Sequence, residues 1–361
     1  MPRASSKSSR LDKTGILSIA EELGVSASTV SRALRSETSH LVSSERRKEI
    51  LDLAERRGFT PNPGARMLRR GVNTSLSVIV PLDESIFFSE FYGRFLAGTL
   101  RAAASRGWDV QIRTLKRGPD HDLREAMQQV SLDTSGVIYL AEPLSREELA
   151  QLKGYRRPLV LTKAALPRRI EVSDLSLPVV GVDNVEGARS AVRLLHQLGH
   201  RRLGLLLGPA DSSRDAYERD MGYREAMQAL ALDARPDWIL QGSFSFEGGR
   251  AMMERLLQGP ERPTALCCAS DEIAFGAITA LQAAGLRCPE DISIVGFDDG
   301  LWATMARPTL TTVRQPLADL AERAVAVIVE AASATGKAKP VRSQPADLSA
   351  SLVIRDSTRV A

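Results

Sequence analysis

Residues 17–35, LSIAEELGVSASTVSRALR, carry two short apolar stripes at helical spacing with a turn signal between them, the pattern of a DNA-reading helix pair. Ile19, Ala20 and Leu23 make the first stripe, and Val30, Ala33 and Leu34 the second. Gly24 permits the turn, Val25 plugs the angle between the helices, and Ser26 is a good N-cap for the second. Ser26, Ala27, Ser28, Thr29, Ser31 and Arg32 are expected on the open face of that second helix. Their side chains suit the major groove: small residues allow close approach, hydroxyls reach base edges or phosphates, and the one long cation reaches guanine. An ordinary helical hairpin would share the two stripes, so the decision passes to the residues that follow.

Residues 44–57, SERRKEILDLAERR, give a third amphipathic helix with Ile50, Leu53 and Ala54 inward, stopped by Gly58. The next stretch is FTPNPGARMLRRG. Pro61 and Pro63 interrupt any long helix, while Asn62 followed by Pro63 starts a new short one over about 63–70. Such a helix is too short to stand alone in water. Its Met67 and Leu68 have no local core, and Arg66, Arg69 and Arg70 surround them. A basic helix with an apolar wedge fits insertion into the minor groove, with Leu68 unstacking a base step and Arg66 meeting phosphate. A charged interdomain linker explains the arginines and prolines but not the wedge.

The charge distribution agrees. Residues 1–71 hold 14 Lys and Arg against 8 Asp and Glu, a net of +6; the other 290 residues hold 34 against 36, a net of −2. The cationic surplus lies where DNA would lie. The first ten residues, MPRASSKSSR, are polar and expected to be disordered before contact with DNA. No apolar run reaches the length of a membrane span, and the N-terminus has no signal-peptide hydrophobic region. Three cysteines, Cys267, Cys268 and Cys288, form neither an even disulfide framework nor a zinc spacing. They read as reduced core thiols of a cytoplasmic protein.

From residue 76 short apolar runs alternate with amphipathic helices. LSVIV (76–80), DVQIRT (109–114), GVIYL (136–140) and PLVLT (158–162) read as strands, with helices near 89–106, 120–132 and 145–152. A second series follows at VVGVD, RLGLLL, WILQ, TALCC and ISIVGF, with helices near 185–198, 214–230, 246–257 and 271–284. This alternation predicts two doubly wound lobes with parallel sheets covered on both faces. A helix near 317–331 and a late strand in LVIRDS close the chain. In open α/β sheets ligands bind beyond the carboxyl ends of the strands, so two facing lobes place those ends around one cleft. Phe87 and Phe88 follow the first strand, Phe244 follows WILQ, Asp298 ends ISIVGF, and Arg219 begins RDMGY. Asp271 reads as a helix N-cap, and Lys163 as pointing to solvent.

The chain resembles the LacI/GalR family of bacterial transcription regulators nearly end to end. The likeness rests on IAEELGVSASTVSRAL, PNPGARMLRRG, GVDNVEGARSAVRLLHQLGHRRLG, SDEIAFGAITALQAAGLRCPEDISIVGFDD and PTLTTVRQP. It implies a helix-turn-helix headpiece at 1–60, a hinge helix at 61–71, and a periplasmic-binding-protein-like core at 72–361 whose chain crosses between the lobes three times. It also implies that Ala27 and Ser28 set operator specificity, that Arg32 adds a base or phosphate contact, and that Leu68 enters the minor groove. Phe87, Phe88 and Phe244 would line the effector pocket, with Arg219 and Asp298 bonding the ligand. Three positions depart from the family pattern. Ala27 replaces a larger residue, Ser270 stands where many sugar-responsive relatives have Asn, and Thr162-Lys163 stands where relatives often have an acid. Gaining a cation at Lys163 would favour an acidic effector such as a sugar acid or phosphosugar.

Enzymatic motifs are missing: there is no GxSxG, no phosphate-binding glycine loop after the first strand, and no HExxH. His196 and His200 are separated by a helix end at Gly199, so capping or packing accounts for them better than a metal. No cofactor or metal is expected. The sequence therefore predicts a ligand-responsive repressor, a homodimer on near-palindromic double-stranded operator DNA, with no membrane association. The tail, DSTRVA, has no leucine heptad for a tetramerising coiled coil. The rival readings are a two-lobed solute-binding protein of the transport type and a nonspecific nucleoid-binding protein.

Overall fold

The structure, a computed structural model, describes residues 15–34, 39–59, 73–82, 86, 89–115, 123–132, 134–152, 154–333 and 347–361. It divides into two compact units, Met1–Val72 and Asn73–Ala361.

In the first unit, helices α1 (Ile16–Glu22), α2 (Ala27–Ala33) and α3 (Ser44–Arg56) enclose a small core. Ile19, Ala20, Val30, Ala33, Ile50, Leu53 and Ala54 are all buried in it. Gly24 adopts φ +63°, the left-handed conformation that the tight turn requires and that a side chain disfavours. The Ser26 hydroxyl then accepts from the Thr29 backbone N–H at 3.1 Å and starts α2. Arg57 braces α3 against α1 through the Ser18 hydroxyl and the Glu22 carboxylate.

The second unit holds two sheets. The first has the order β2-β1-β3-β4-β5, all parallel: β1 (Ser75–Val80), β2 (Asp109–Thr114), β3 (Gly136–Tyr139), β4 (Leu159–Thr162) and β5 (Val179–Val180). Along β1, Leu76, Val78 and Val80 face one apolar cluster and Ile79 faces another, so both sides of the sheet are buried. Helix α4 (Glu90–Ala104) covers one side; α5 (Leu123–Ser131) and α6 (Arg146–Leu152) cover the other.

The second sheet has the order β11-β10-β9-β8-β6-β7. It comprises β6 (Leu203–Leu207), β7 (Ile239–Gln241), β8 (Ala265–Cys268), β9 (Ser293–Asp298), β10 (Thr311–Arg314) and β11 (Ser351–Val353), the last antiparallel to β10. Helices α7 (Asn184–Gln197) and α8 (Arg214–Ala229) pack together, as do α9 (Phe246–Leu257) and α10 (Asp271–Ala283). A short α11 (Leu301–Met305) precedes β10. Strand β10 and helix α11 were not foreseen. The TTVR run is too short to show a period, and five helical residues carry no stripe.

The chain passes between the lobes three times. It leaves the first sheet after β5, returns when α12 (Leu317–Ser333) packs on α4 and the first sheet, and leaves again before β11. Two crossovers bond side by side: the Asp183 N–H donates to the Leu348 carbonyl and the Leu348 N–H to Gly181, both at 2.9 Å. All three cysteines are free and buried, and burial pushes the Cys267 and Cys288 thiols up to about 12. His200 is buried against the Thr264 and Ser293 hydroxyls at 3.0 and 3.2 Å, and so serves packing. Among the described residues no helix is long and apolar enough to cross a membrane.

Candidate functional site

On α2 the outward residues are Ser26, Ser28 and Arg32, with Thr29 half-buried beside them. The Ser26 hydroxyl meets those of Ser28 and Thr29 at 2.7 and 2.9 Å, giving a compact polar knuckle at the start of the helix. Two positions differ from expectation. Ser31 is buried, because it lies one turn from both Ala27 and Leu34 and so falls on the inward side. Ala27 is half-buried and packs on the same core. Arg66 and Leu68, expected in the hinge, lie outside the described residues, as do Phe87 and Phe88.

In the second unit the strand ends gather a charged cluster. The last residue of β9 and the one after it are both at positive φ, Asp298 at +124° and Asp299 at +54°. For non-glycine residues that is strained backbone, which packing must enforce. Arg94 helps to do so, donating from one nitrogen to the carbonyls of both, each at 3.0 Å. The two side chains then separate in role. Asp299 pairs with Arg314 and Arg355 at 2.6 and 2.5 Å and is held below the usual carboxylate range. Among the described residues the Asp298 side chain accepts only from the Gln315 amide, at 2.5 Å, and burial pushes its carboxyl up to about 6 despite nearby Arg219.

Arg219 is buried, its guanidinium 3.9 Å from the Phe297 ring centroid and 5.8 Å from that of Phe244. Its Nε donates to Asn184 Oδ1 at 3.0 Å and its Nη1 to the Ala269 carbonyl. Nη2 has no partner among the described residues. Phe244 in turn packs against Gly208, where any side chain would collide with its ring. Strand ends from β6, β7, β8 and β9 thus bring Phe244, Arg219 and Asp298 to one place.

Lys163 does not point to solvent. It is buried, with Nζ 3.1 Å from Glu218 Oε2 and 2.5 Å from Asp347 Oδ2. Burial disfavours its charge, but the two carboxylates outweigh that and raise its pKa above the ordinary lysine value. Glu218 also accepts from Arg214 Nε at 2.8 Å, and Asn184 Nδ2 donates to Asp215 and Glu218 at 3.0 and 3.4 Å. Glu218, Arg214, Asn184 and Asp347 were not singled out from the sequence; Arg214 and Glu218 lie one turn apart on α8, Asn184 comes from the neighbouring α7, and the threading of the chain brings Lys163 and Asp347 to them. Ser270, not Asp271, caps α10, its hydroxyl accepting from the Ile273 N–H at 3.1 Å. Asp271 is the first helical residue and turns back to accept from the Gly300 N–H and the Thr312 hydroxyl.

The description "Bacterial regulatory proteins, lacI family" matches residues 16–62, and a periplasmic binding protein-like domain matches residues 192–358. The HTH-type transcriptional repressor CytR of Escherichia coli (strain K12) is 30% identical over 341 residues, covering 94% of this chain and 95% of that protein. The chain belongs to the lacI family. This lacI-family protein is a DNA-binding transcription regulator with a two-lobed effector domain. Its fold matches that of a lac repressor dimer bound to operator and the anti-inducer ONPF, with a TM-score of 0.78 at 24% identity over 96% of this chain and 99% of that one. A CelR–cellobiose complex matches with a TM-score of 0.68 at 25% identity, over 95% of this chain and 99% of that one.

Proposed function

We propose that this lacI-family regulator is a cytoplasmic homodimeric repressor, not an enzyme. Residues 1–60 and a hinge at 61–71 would hold operator DNA, while residues 72–361 bind a small polar metabolite between the lobes. Ser26, Ser28, Thr29 and Arg32 are the DNA contacts on α2, with Ala27 allowing close approach, and Arg66 and Leu68 act at the hinge. Two modules reading half-sites about a two-fold axis give the affinity that one short helix lacks.

The effector reading is carried by one observation: buried Arg219, close to Asp298, keeps one nitrogen with no partner among the described residues, near the strand ends where a doubly wound fold binds ligands. An arginine donor and a carboxylate acceptor beside Phe244 suit a ring with hydroxyls, which is the chemistry of a sugar or sugar derivative. The CelR relative binds cellobiose in its complex, which supports that class. Phe87 and Phe88 remain proposed lining residues. Ser270 already caps a helix and Lys163 is already paired, so an acidic effector has less to attract it than the bare sequence implied.

Effector binding would select one alignment of the lobes and thereby the geometry of the two hinges. A thermal-shift screen of sugars, sugar acids and phosphosugars finds the ligand by its stabilisation of the folded state. Operator titrations with and without that ligand then test the site. Arg219→Ala and Asp298→Ala should keep operator binding and lose the effector response. A normal response in both variants places the pocket elsewhere.

A further inference from the structure

The two lobes each bury their own sheets, and besides the crossovers three junctions of side chains join them among the described residues. At the outer rim Arg168 of the first lobe reaches the carbonyl of Ala210 and the carboxylate of Asp211, an exposed pair. Across the cleft, Glu90 accepts from the Leu301 N–H and Arg94 donates to the carbonyls of Asp298 and Asp299. The third junction is of another kind. Lys163, just after β4 of the first lobe, meets Glu218 of α8 in the second, with side chains only 10% and 5% exposed. Arg214, on the same carboxylate, reaches back with Nη1 to the carbonyls of Pro167 and Ile170 in the first lobe at 3.0 and 2.6 Å. Asp347, in the last crossover, completes the cluster.

We propose that the Lys163–Glu218 pair is an interlobe bolt that holds the two lobes in the alignment seen in the structure. Lys163 and Glu218 come from different lobes, and Asp347 from a third passage of the chain, so the pair exists only while the lobes are aligned. Being buried, it is screened little by salt, unlike the Arg168–Asp211 pair at the rim. The bolt is also tied to the pocket: Glu218 accepts from Asn184, and Asn184 in turn accepts from Arg219. Movement of Arg219 toward a ligand therefore pulls on the same carboxylate that holds Lys163. This last link rests on the effector site proposed above; the bolt itself does not.

Lys163→Met keeps the apolar stem and removes the charge. Glu218 remains paired with Arg214, so no bare carboxylate is left buried. The test is hydrogen exchange on the full-length, ligand-free chain, comparing segments 181–184 and 347–350, whose amides bond across the crossovers, with the core amides of Val78 and Leu205. The bolt predicts exchange faster by about tenfold or more at the crossovers, with the two cores as in the parent, because opening between lobes exposes neither sheet. Arg168→Ala should leave both unchanged. Asp347→Asn weakens the cluster from its exposed side and gives the same comparison should Lys163→Met not fold. Parent-like exchange at the crossovers, or equal acceleration in the cores, overturns the bolt. Since no ligand is used, either outcome leaves the effector site to its own titrations.

Discussion

Asp298 joins a strained backbone, an amide partner in Gln315 and a carboxyl whose charge changes near pH 6. Burial raises it, Arg219, the Gln315 amide and Arg94 draw it down, and Glu90 adds to the rise. Because a protonated carboxyl accepts poorly from ligand hydroxyls, effector affinity should fall as pH drops from 7.5 to 5. Calorimetry with the effector from the screen checks this, and Asp298→Asn should flatten the profile; an unflattened profile assigns the titration to another group. The stability effect has the opposite direction. The folded state holds this proton more tightly than the unfolded chain, so the contribution is full below the ordinary 3.8 and is lost as pH rises through about 6. Arg219→Lys should not rescue ligand binding, since an ammonium cannot bond Asn184 and Ala269, stack on Phe297 and still present a donor. A loss of about 1.5–3 kcal/mol, the worth of a charged hydrogen bond, is expected by calorimetry. Of these residues Asp298 was legible beforehand because it ends a strand, and Arg219 because it lies in a helix that faces the same side. Gln315 was not, since it follows a strand too short to recognise.

Helix α2 depends on its first residue. Ser26→Ala removes the acceptor for the Thr29 N–H and should destabilise the headpiece by about 1 kcal/mol in thermal melts. On DNA, Arg32→Ala should weaken binding, while Ser28 substitutions should change which operator is preferred, as read by selection from randomised DNA at fixed salt. Leu68→Ala should fold normally, bind operator more weakly and bend it less; parent-like affinity at the same salt removes the wedge from the hinge. Between α9 and α10 the backbones approach so closely that a side chain on Gly249 would run into the Ile273 carbonyl, and one on Gly276 into that of Phe246. Gly276→Ala should cost about 1–3 kcal/mol of core stability in denaturant melts. Nothing in the periodicity of either helix marks these glycines. They are small because a neighbouring helix, distant in the pairing, needs the space.

The division of the chain between Val72 and Asn73 predicts that a protein starting at residue 73 folds, dimerises and binds effector, but no longer binds operator. Gel shifts and calorimetry on that truncated chain check it, and retained operator binding would place DNA contacts in the core. The helix-turn-helix, the run of strands and helices, and the residues at strand ends were readable along the chain, because apolar period, caps and turns are local quantities. Burial of Ser31 on α2 was missed where the inward stripe is one residue wider than its large apolar members show. Lys163 was misread for a different reason. A lysine beside a short strand carries no sign that Glu218 and Asp347, 55 and 184 residues away, will meet it. Local order follows from neighbours in sequence. The pairing of charges across three crossovers follows from how the lobes are threaded, and burial makes that pairing obligatory because an unpaired charge there would be too costly to keep.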